Sequence, residues 1–229
     1  EYEPGPIEVV SCDPARYGQD FTSVWVRRGR VARRIWRVQG ADLMQTTGII
    51  KEYFDQHKTY HVVVDGVGVG SGIIDRLREM DIGVIDFQGG GAASDSARFM
   101  NKNAECWWRM REAYQSGLDV PEDAILRGQV SSRRYSIQSD KRIKLESKDD
   151  LRKQGRVSPD DGDALAMTFA LDWDLGGLHL SPDSDVREDD WQRGNIHDPE
   201  NDMTIVGRGS DLAPWSGSRW KKMGGRRYD

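Results

Sequence analysis

Cysteine is nearly absent. The 229 residues include two, Cys12 and Cys106, far apart in sequence and each in apolar surroundings. That excludes a disulfide framework and a cysteine-based zinc site, and it sets the expectation of a reducing, intracellular setting. The four histidines, His57, His61, His179 and His197, are scattered, so no Ser-His-Asp arrangement can be argued from them. No apolar run is long enough to span a membrane, and no signal peptide is found. The glycines of "DGVGVGSG" (65–72) offer no frame for G-x-G-x-x-G, which would need glycine at Ser71 or Ile73. A small-residue turn into a helix accounts for them. G-x-x-x-x-G-K-[ST] does not occur, which excludes a P-loop and ATP hydrolysis through one. Net positive charge is lacking too: 33 Lys and Arg against 38 Asp and Glu leave −5. A phosphate ligand needs only a local basic stripe, however. "RRGRVARRIWR" (27–37) is either such a stripe or two solvated strands joined by a glycine turn.

What the chain does contain is a compact apolar core and a polar end. Hydrophobic residues make up 37% and mean hydropathy is −0.71, which suits one domain with a wet appendage. The start on "EYEPGPIEVV", without Met, is the start expected of a domain cut from something longer. "IEVVSCD" (7–13), "FTSVWVRR" (21–28) and "VARRIWRV" (31–38) read as three strands, the last two joined through Gly29 and Arg30. Helical spacing follows over 41–57, with Leu43, Thr47, Ile50 and Phe54 along one side. "YHVVVD" (60–65) is a strand buried on both faces. A helix at 71–80 and a fifth strand at 82–87 complete a mixed α/β sheet with crossover helices. "GGGAASDSARF" (89–99) reads as a flexible loop and 101–117 as an amphipathic helix whose aromatic stripe, "CWWRMREAY", belongs to the core. A hairpin is expected over 133–147, a short capped helix over 147–155, and a last helix from "SPDDGDALA" (158–166). Residues 1–175 therefore read as the domain. Residues 176–229, crowded with Gly, Pro, Asp and Ser, read as a polar tail, largely disordered or folding on a partner.

Two strands end on a carboxylate, at Asp13 and Asp65. In a sheet of this connectivity their strands lie side by side, and like charges that close are costly unless a cation lies between them. Asp160 and Asp163, three apart at the start of a helix, share a face; Asp161 points elsewhere. Taken singly, Asp160 could be an N-cap and Asp65 a turn acid. Together they form an all-oxygen set with no Cys or His, which favours Mg²⁺ or Mn²⁺ over zinc. Such a set suits two-metal phosphoryl chemistry, with ions ~4 Å apart serving the attacking and the leaving oxygen. Asp20 either joins that shell or orders the loop.

The order of "SCDPARYGQDFTSVWVRRG", "VVVDGVGVGSGIIDRL", "FMNKNAECWWRMREA" and "RIKLESKDDLRKQGRVSPDDGDALAMTFA" resembles the C-terminal nuclease domain of the tailed-bacteriophage terminase large subunit, over roughly 7–173. The "KDDLRKQGRVSPDDGDALA" segment is its most diagnostic part, and the D-x-x-D-A-L ending is similar to that of Holliday-junction resolvases on the same fold. The resemblance implies an RNase H-like fold, a five-stranded mixed sheet with an auxiliary hairpin. It implies a nuclease that cuts concatemeric double-stranded viral DNA during packaging, in the cytoplasm of the infected bacterial host. By position, Asp13 and Asp65 match the first- and fourth-strand acids, Asp163 the final-helix acid and Asp160 a variable fourth ligand, around two Mg²⁺ or Mn²⁺ ions. Asp13, Asp65 and Asp163 are the expected catalytic residues.

Arg133, Arg134, Lys141, Arg142 and Lys144, on and before the hairpin, are the expected contacts to the DNA backbone, with Lys153 less firmly placed. Lys148 belongs either with them or in support of the acids. An ATPase motor, a small terminase subunit and a portal are the implied partners of an intact protein, and no membrane. A resolvase or RNase H proper, or a docking module that cuts nothing and binds DNA or portal, are the competing readings.

Overall fold

A computed structural model describes residues 8–15, 20–57, 61–171 and the pair 207–208. Its centre is a sheet built from β1 (Glu8–Asp13), β2 (Phe21–Arg28), β3 (Val31–Gln39), β4 (His61–Asp65) and β5 (Val84–Phe87). Their spatial order is β5-β4-β1-β2-β3. Strands β1 and β3 each run antiparallel to β2 between them, whereas β4 and β5 run parallel to β1. Parallel neighbours need crossovers, and these are α1 (Leu43–His57), between β3 and β4, and α2 (Gly70–Glu79), between β4 and β5. The mixed five-stranded sheet expected from the sequence is therefore present.

Period-two alternation divides the sheet between two cores. Val10, Cys12, Val24, Val26, Val62 and Val64 pack with Ile50, Ile73 and Leu77 of α1 and α2. Val9, Trp25 and Val63 face the other way. There they meet α3 (Lys102–Gln115), α4 (Ala124–Ser132) and α6 (Asp160–Met167), the last preceded by the short α5 (Lys148–Lys153). "HVVVD" is thus buried on both faces because helices cover both. Among the described residues no helix is long and apolar enough to cross a membrane.

Helix α4 does not stand out in the apolar pattern, since Gly128 interrupts it. Its signal is Asp123, which caps the helix by accepting from Ile125 N and Leu126 N. The hairpin is β6 (Tyr135–Ile137) against β7 (Ile143–Leu145), with Lys141 at positive φ in its turn. The loop after β5, expected to be flexible, is fastened. Buried Glu105 of α3 accepts from Ser94 N at 3.0 Å and Asp95 N at 3.3 Å, and it pairs with Arg109 at 2.7 Å.

The stripe at 27–37 resolves largely into internal struts. Arg27 is 1% exposed and donates to Thr168 O at 2.9 Å, closing the end of α6. Arg37 is 5% exposed and reaches Asp161, and Arg33 pairs with Asp119. Those arginines hold the protein together and present no stripe to a ligand. The expected tail and the boundary at 175 lie outside the described residues, except that the backbone of Gly207 and Arg208 (β8) pairs with Val38 and Gln39 at the outer edge of β3.

Candidate metal centre

The carboxylates meet because register and parity bring them together. Along the parallel pair, Cys12 lies opposite Val64, and the next step sets Asp13 beside Asp65. Both share parity with Val9, Ser11 and Val63, so both face the α6 side of the sheet. Helix α6 is fixed there by its backbone and by its acids. Ser11 Oγ donates to Ala164 O at 2.6 Å. Asp161, fully buried, accepts from Ser23 Oγ at 2.6 Å and Arg37 Nε at 2.9 Å, with Arg34 at 3.5 Å. The residue that points away from the other two acids is therefore the one that locks the helix onto β2 and β3. Placing three acids in its first turn also sets negative charge at the positive end of the helix dipole.

Asp163 Oδ1 accepts the indole N–H of Trp107 at 2.8 Å. Its Oδ2 lies 2.9 Å from Lys148 Nζ, but the oxygen is buried and no donor is aligned on it as a hydrogen bond. The same ammonium stands 3.5 Å from Asp13 Oδ2. Asp160 Oδ2 accepts Phe21 N at 2.7 Å and so ties the helix start to β2. It does not cap the helix: the N-cap position is Pro159, with no side-chain cap. Asp65 Oδ1 accepts Val67 N at 3.1 Å in the turn that follows. The glycines of that turn have two causes: a Cβ at Gly70 would fall 1.6 Å from Asp65 O, whereas Gly68 stands in open space at φ +68°.

The electrostatics are those of an undercompensated anion cluster. Burial pushes Asp13 up, and Asp163, Asp65 and Asp160 add to this against the pull of Lys148, to about 8. Burial likewise raises Asp65, and it raises Asp160 to about 6, with Asp20 contributing there. Burial alone would lower the Lys148 ammonium, but Asp13 and Asp163 outweigh it and hold it well above the ordinary lysine range. The Cys12 thiol is pushed up by burial and then by Asp13 and Asp65, which leaves it inert beside the cluster.

Asp13, Asp65, Asp160, Asp163 and Lys148 are thus gathered at the carboxyl ends of β1 and β4. Among the described residues, no three Asp, Glu, His or Cys side chains close to the geometry of a metal site; the Lys148 ammonium stands between Asp13 and Asp163. The donor set nonetheless fits a hard divalent cation: every ligand atom is a carboxylate oxygen, one buried oxygen lacks an aligned donor, and the acids repel one another. Asp20 lies 3.6 Å from Arg152, and its charge contributes to raising Asp160.

Arg134, Lys141 and Lys144 are exposed on and before the hairpin. Arg142 is partly neutralised by Asp140 at 2.7 Å, and Lys153 is exposed, 3.8 Å from Asp150. Arg133 is half-buried, as is Arg142, and differs from the rest in packing its guanidinium against Trp107. The sequence reading missed two contributors: Trp107, a core aromatic whose one polar atom holds Asp163, and Asp86 on β5, whose charge raises Asp65. The alternation of "VIDF" could have found Asp86, one position from the strand end.

No family model and no curated protein matches the chain. Solved structures do. The nuclease domain of the large terminase subunit gp2 of bacterial virus Sf6 aligns with a TM-score of 0.63 at 20% identity, covering 73% of this chain and 90% of that one. A mutant of that domain, solved with manganese and β-thujaplicinol, gives 0.62 at 19% identity with coverage of 73% and 90%. The large terminase nuclease from thermophilic phage G20c, with bound magnesium, gives 0.53 at 18% identity, covering 74% of this chain and 83% of that one. At such identities the likeness is one of fold: the chain has the RNase H-like fold of phage large terminase nuclease domains.

Proposed function

We propose that this chain is a divalent-metal-dependent endonuclease domain, acting on concatemeric double-stranded viral DNA during genome packaging in the infected host. The observation that carries the reading is the meeting of Asp13, Asp65 and Asp163, with Asp160 beside them, at the carboxyl ends of β1 and β4, where among the described residues a single ammonium, that of Lys148, pairs with them. The fold shared with terminase nucleases solved with manganese or magnesium supports it. Asp13, Asp65 and Asp163 would hold two Mg²⁺ or Mn²⁺ ions, with Asp160 assisting. When bound, such ions supply Lewis-acid charge to the attacking and leaving oxygens of a phosphodiester.

The chain's own residues do the rest. Trp107 fixes the Asp163 carboxylate, and the Asp161 cluster fixes the helix that carries it. Lys148 offsets part of the cost of ionising the carboxylates and makes their repulsion more tolerable until a cation arrives. Exposed Arg134, Lys141 and Lys144 hold phosphates on either side of the cut, which positions the duplex without reading its bases. In the intact protein an ATPase motor, a small terminase subunit and a portal would be the partners.

Supercoiled-plasmid cleavage tests the reading, with Mg²⁺, Mn²⁺, Ca²⁺ or EDTA, on this chain and on Asp65→Asn and Asp163→Asn. Cleavage with Mg²⁺ or Mn²⁺ that vanishes in EDTA and in both variants is expected. Cleavage surviving both substitutions would refute the assigned site. No metal-dependent nicking would favour a docking module. Preference for four-way junctions or RNA–DNA hybrids over linear duplex would favour a resolvase or RNase H.

A further inference from the structure

Arg133 is the residue at which α4 ends and the chain turns extended, with φ −70° and ψ 123°. It lies four residues after Gln129, on the same face of the helix. Gln129 Oε1 accepts Gly162 N at 2.9 Å in a buried contact, between Asp161 and Asp163. The same face therefore carries Arg133 toward Asp163. Its guanidinium sits 5.3 Å from the centre of the Trp107 ring, the indole that donates to Asp163. Gly162 permits this close packing, since a Cβ there would meet Trp107 at 2.8 Å.

The guanidinium is incompletely matched. Its Nε and Nη1 are buried without a hydrogen-bond partner, and among the described residues no carboxylate pairs with it. The like charge that acts on it, Arg156, is paired with Glu146 and donates to Ser132 O. Burial pushes Arg133 down and Arg156 adds to that, while Asp163 and Glu146 sustain its charge from a distance. Buried donors left unmade are costly, and a guanidinium fork fits an anion offering two oxygens.

We infer that Arg133 contacts a non-bridging oxygen of the phosphate being cleaved, which makes it a catalytic residue and not one more backbone contact. The inference rests on the nuclease reading of the carboxylate site. The geometry separates it from Arg134, Lys141 and Lys144: they are exposed on and before the hairpin, whereas Arg133 reaches Asp163 through the Trp107 packing.

The test titrates a short fluorescein-labelled duplex with the chain in Ca²⁺ over a KCl series, for wild type, Arg133→Ala and Arg133→Lys. Plasmid nicking in Mn²⁺ is run in parallel, with melting temperatures as a control for folding. Loss of one phosphate contact is expected to lower the salt slope of log affinity by about one in Arg133→Ala, with the slope kept in Arg133→Lys. Nicking is expected to fall about a hundredfold in Arg133→Ala, as for loss of one transition-state donor. Methylguanidinium in solution should restore part of it. Arg133→Lys should nick about tenfold slower than wild type, a point charge replacing the fork.

A wild type that nicks, with Arg133→Ala equal to it in slope and rate, overturns this inference alone. A wild type that binds duplex and never nicks sinks the nuclease reading and the catalytic role with it, and the slope then shows only whether Arg133 meets a phosphate. A rate loss with unchanged slope and no rescue by methylguanidinium would make Arg133 a structural residue and also overturn it.

Discussion

Asp13→Asn should stabilise the metal-free protein. Asp13 titrates near 3.8 in an unfolded chain and at about 8 in the fold, because burial and then Asp163, Asp65 and Asp160 oppose its ionisation more than Lys148 assists it. A carboxyl whose pKa is raised on folding contributes stability that is full below the unfolded value and lost as pH rises through the folded one. The window is therefore about pH 4 to about pH 8. At about 1.4 kcal/mol for each pK unit, the whole shift is on the order of 6 kcal/mol, but it is shared among coupled carboxylates. The single substitution should recover about 2 kcal/mol at the alkaline end, or roughly 4–8 °C in melting temperature for a chain of this size. Asparagine keeps the shape, and Lys148 keeps Asp163 at 2.9 Å.

The assay is thermal unfolding of wild type and variant in EDTA across that range. The difference between them should be near zero at pH 4, grow toward pH 8 and then flatten. Saturating Mn²⁺ should reverse the order, since a ligand at a hundred times its Kd adds about 2.7 kcal/mol to the form that binds it. A difference that ignores pH, or a variant less stable than wild type throughout, would refute the electrostatic reasoning.

Three further outcomes follow from the packing around the site. Trp107→Phe removes the only hydrogen bond to Asp163 Oδ1 among the described residues; it should cost about 1 kcal/mol of stability, and metal-dependent nicking should fall by roughly tenfold as the carboxylate loses its orientation. Asp161→Asn leaves Arg37 without its buried counter-charge, while Arg34 keeps Asp123 at 2.7 Å, and should cost about 3 kcal/mol in urea unfolding, more than an exposed acid. Gly162→Ala forces Trp107 away from α6, so a loss of about 1–3 kcal/mol is expected, together with the change in Asp163 orientation that Trp107→Phe produces.

The strands and the acids on them were legible because period-two patterning survives in sequence. "HVVVD" shows by composition that it is covered on both sides, and a strand ending on Asp says which edge carries charge. What hid was the work done by side chains whose type suggests something else. Arg27, Arg33 and Arg37 look like a phosphate-binding stripe, yet their partners, Thr168, Asp119 and Asp161, lie more than eighty residues away. Trp107 reads as core, and it is core, but its N–H serves Asp163. Helix α4 was missed because its apolar face is only partly buried, Leu126 and Gln129 being its buried residues, so that cap chemistry at Asp123 was a better signal than periodicity. Long-range partnership leaves no local trace, and here it decides which charges are structural and which are left to act.

The central claim is that these carboxylates hold divalent cations. Its most direct measurement is the anomalous scattering of Mn²⁺ soaked into crystals of this chain. The expected result is density within about 2.1 Å of oxygens of Asp13, Asp65 and Asp163, with the Lys148 ammonium moved off the Asp13–Asp163 axis. Manganese elsewhere on the surface, with Lys148 still 2.9 Å from Asp163 and plasmid cleaved by the same preparation, would contradict it.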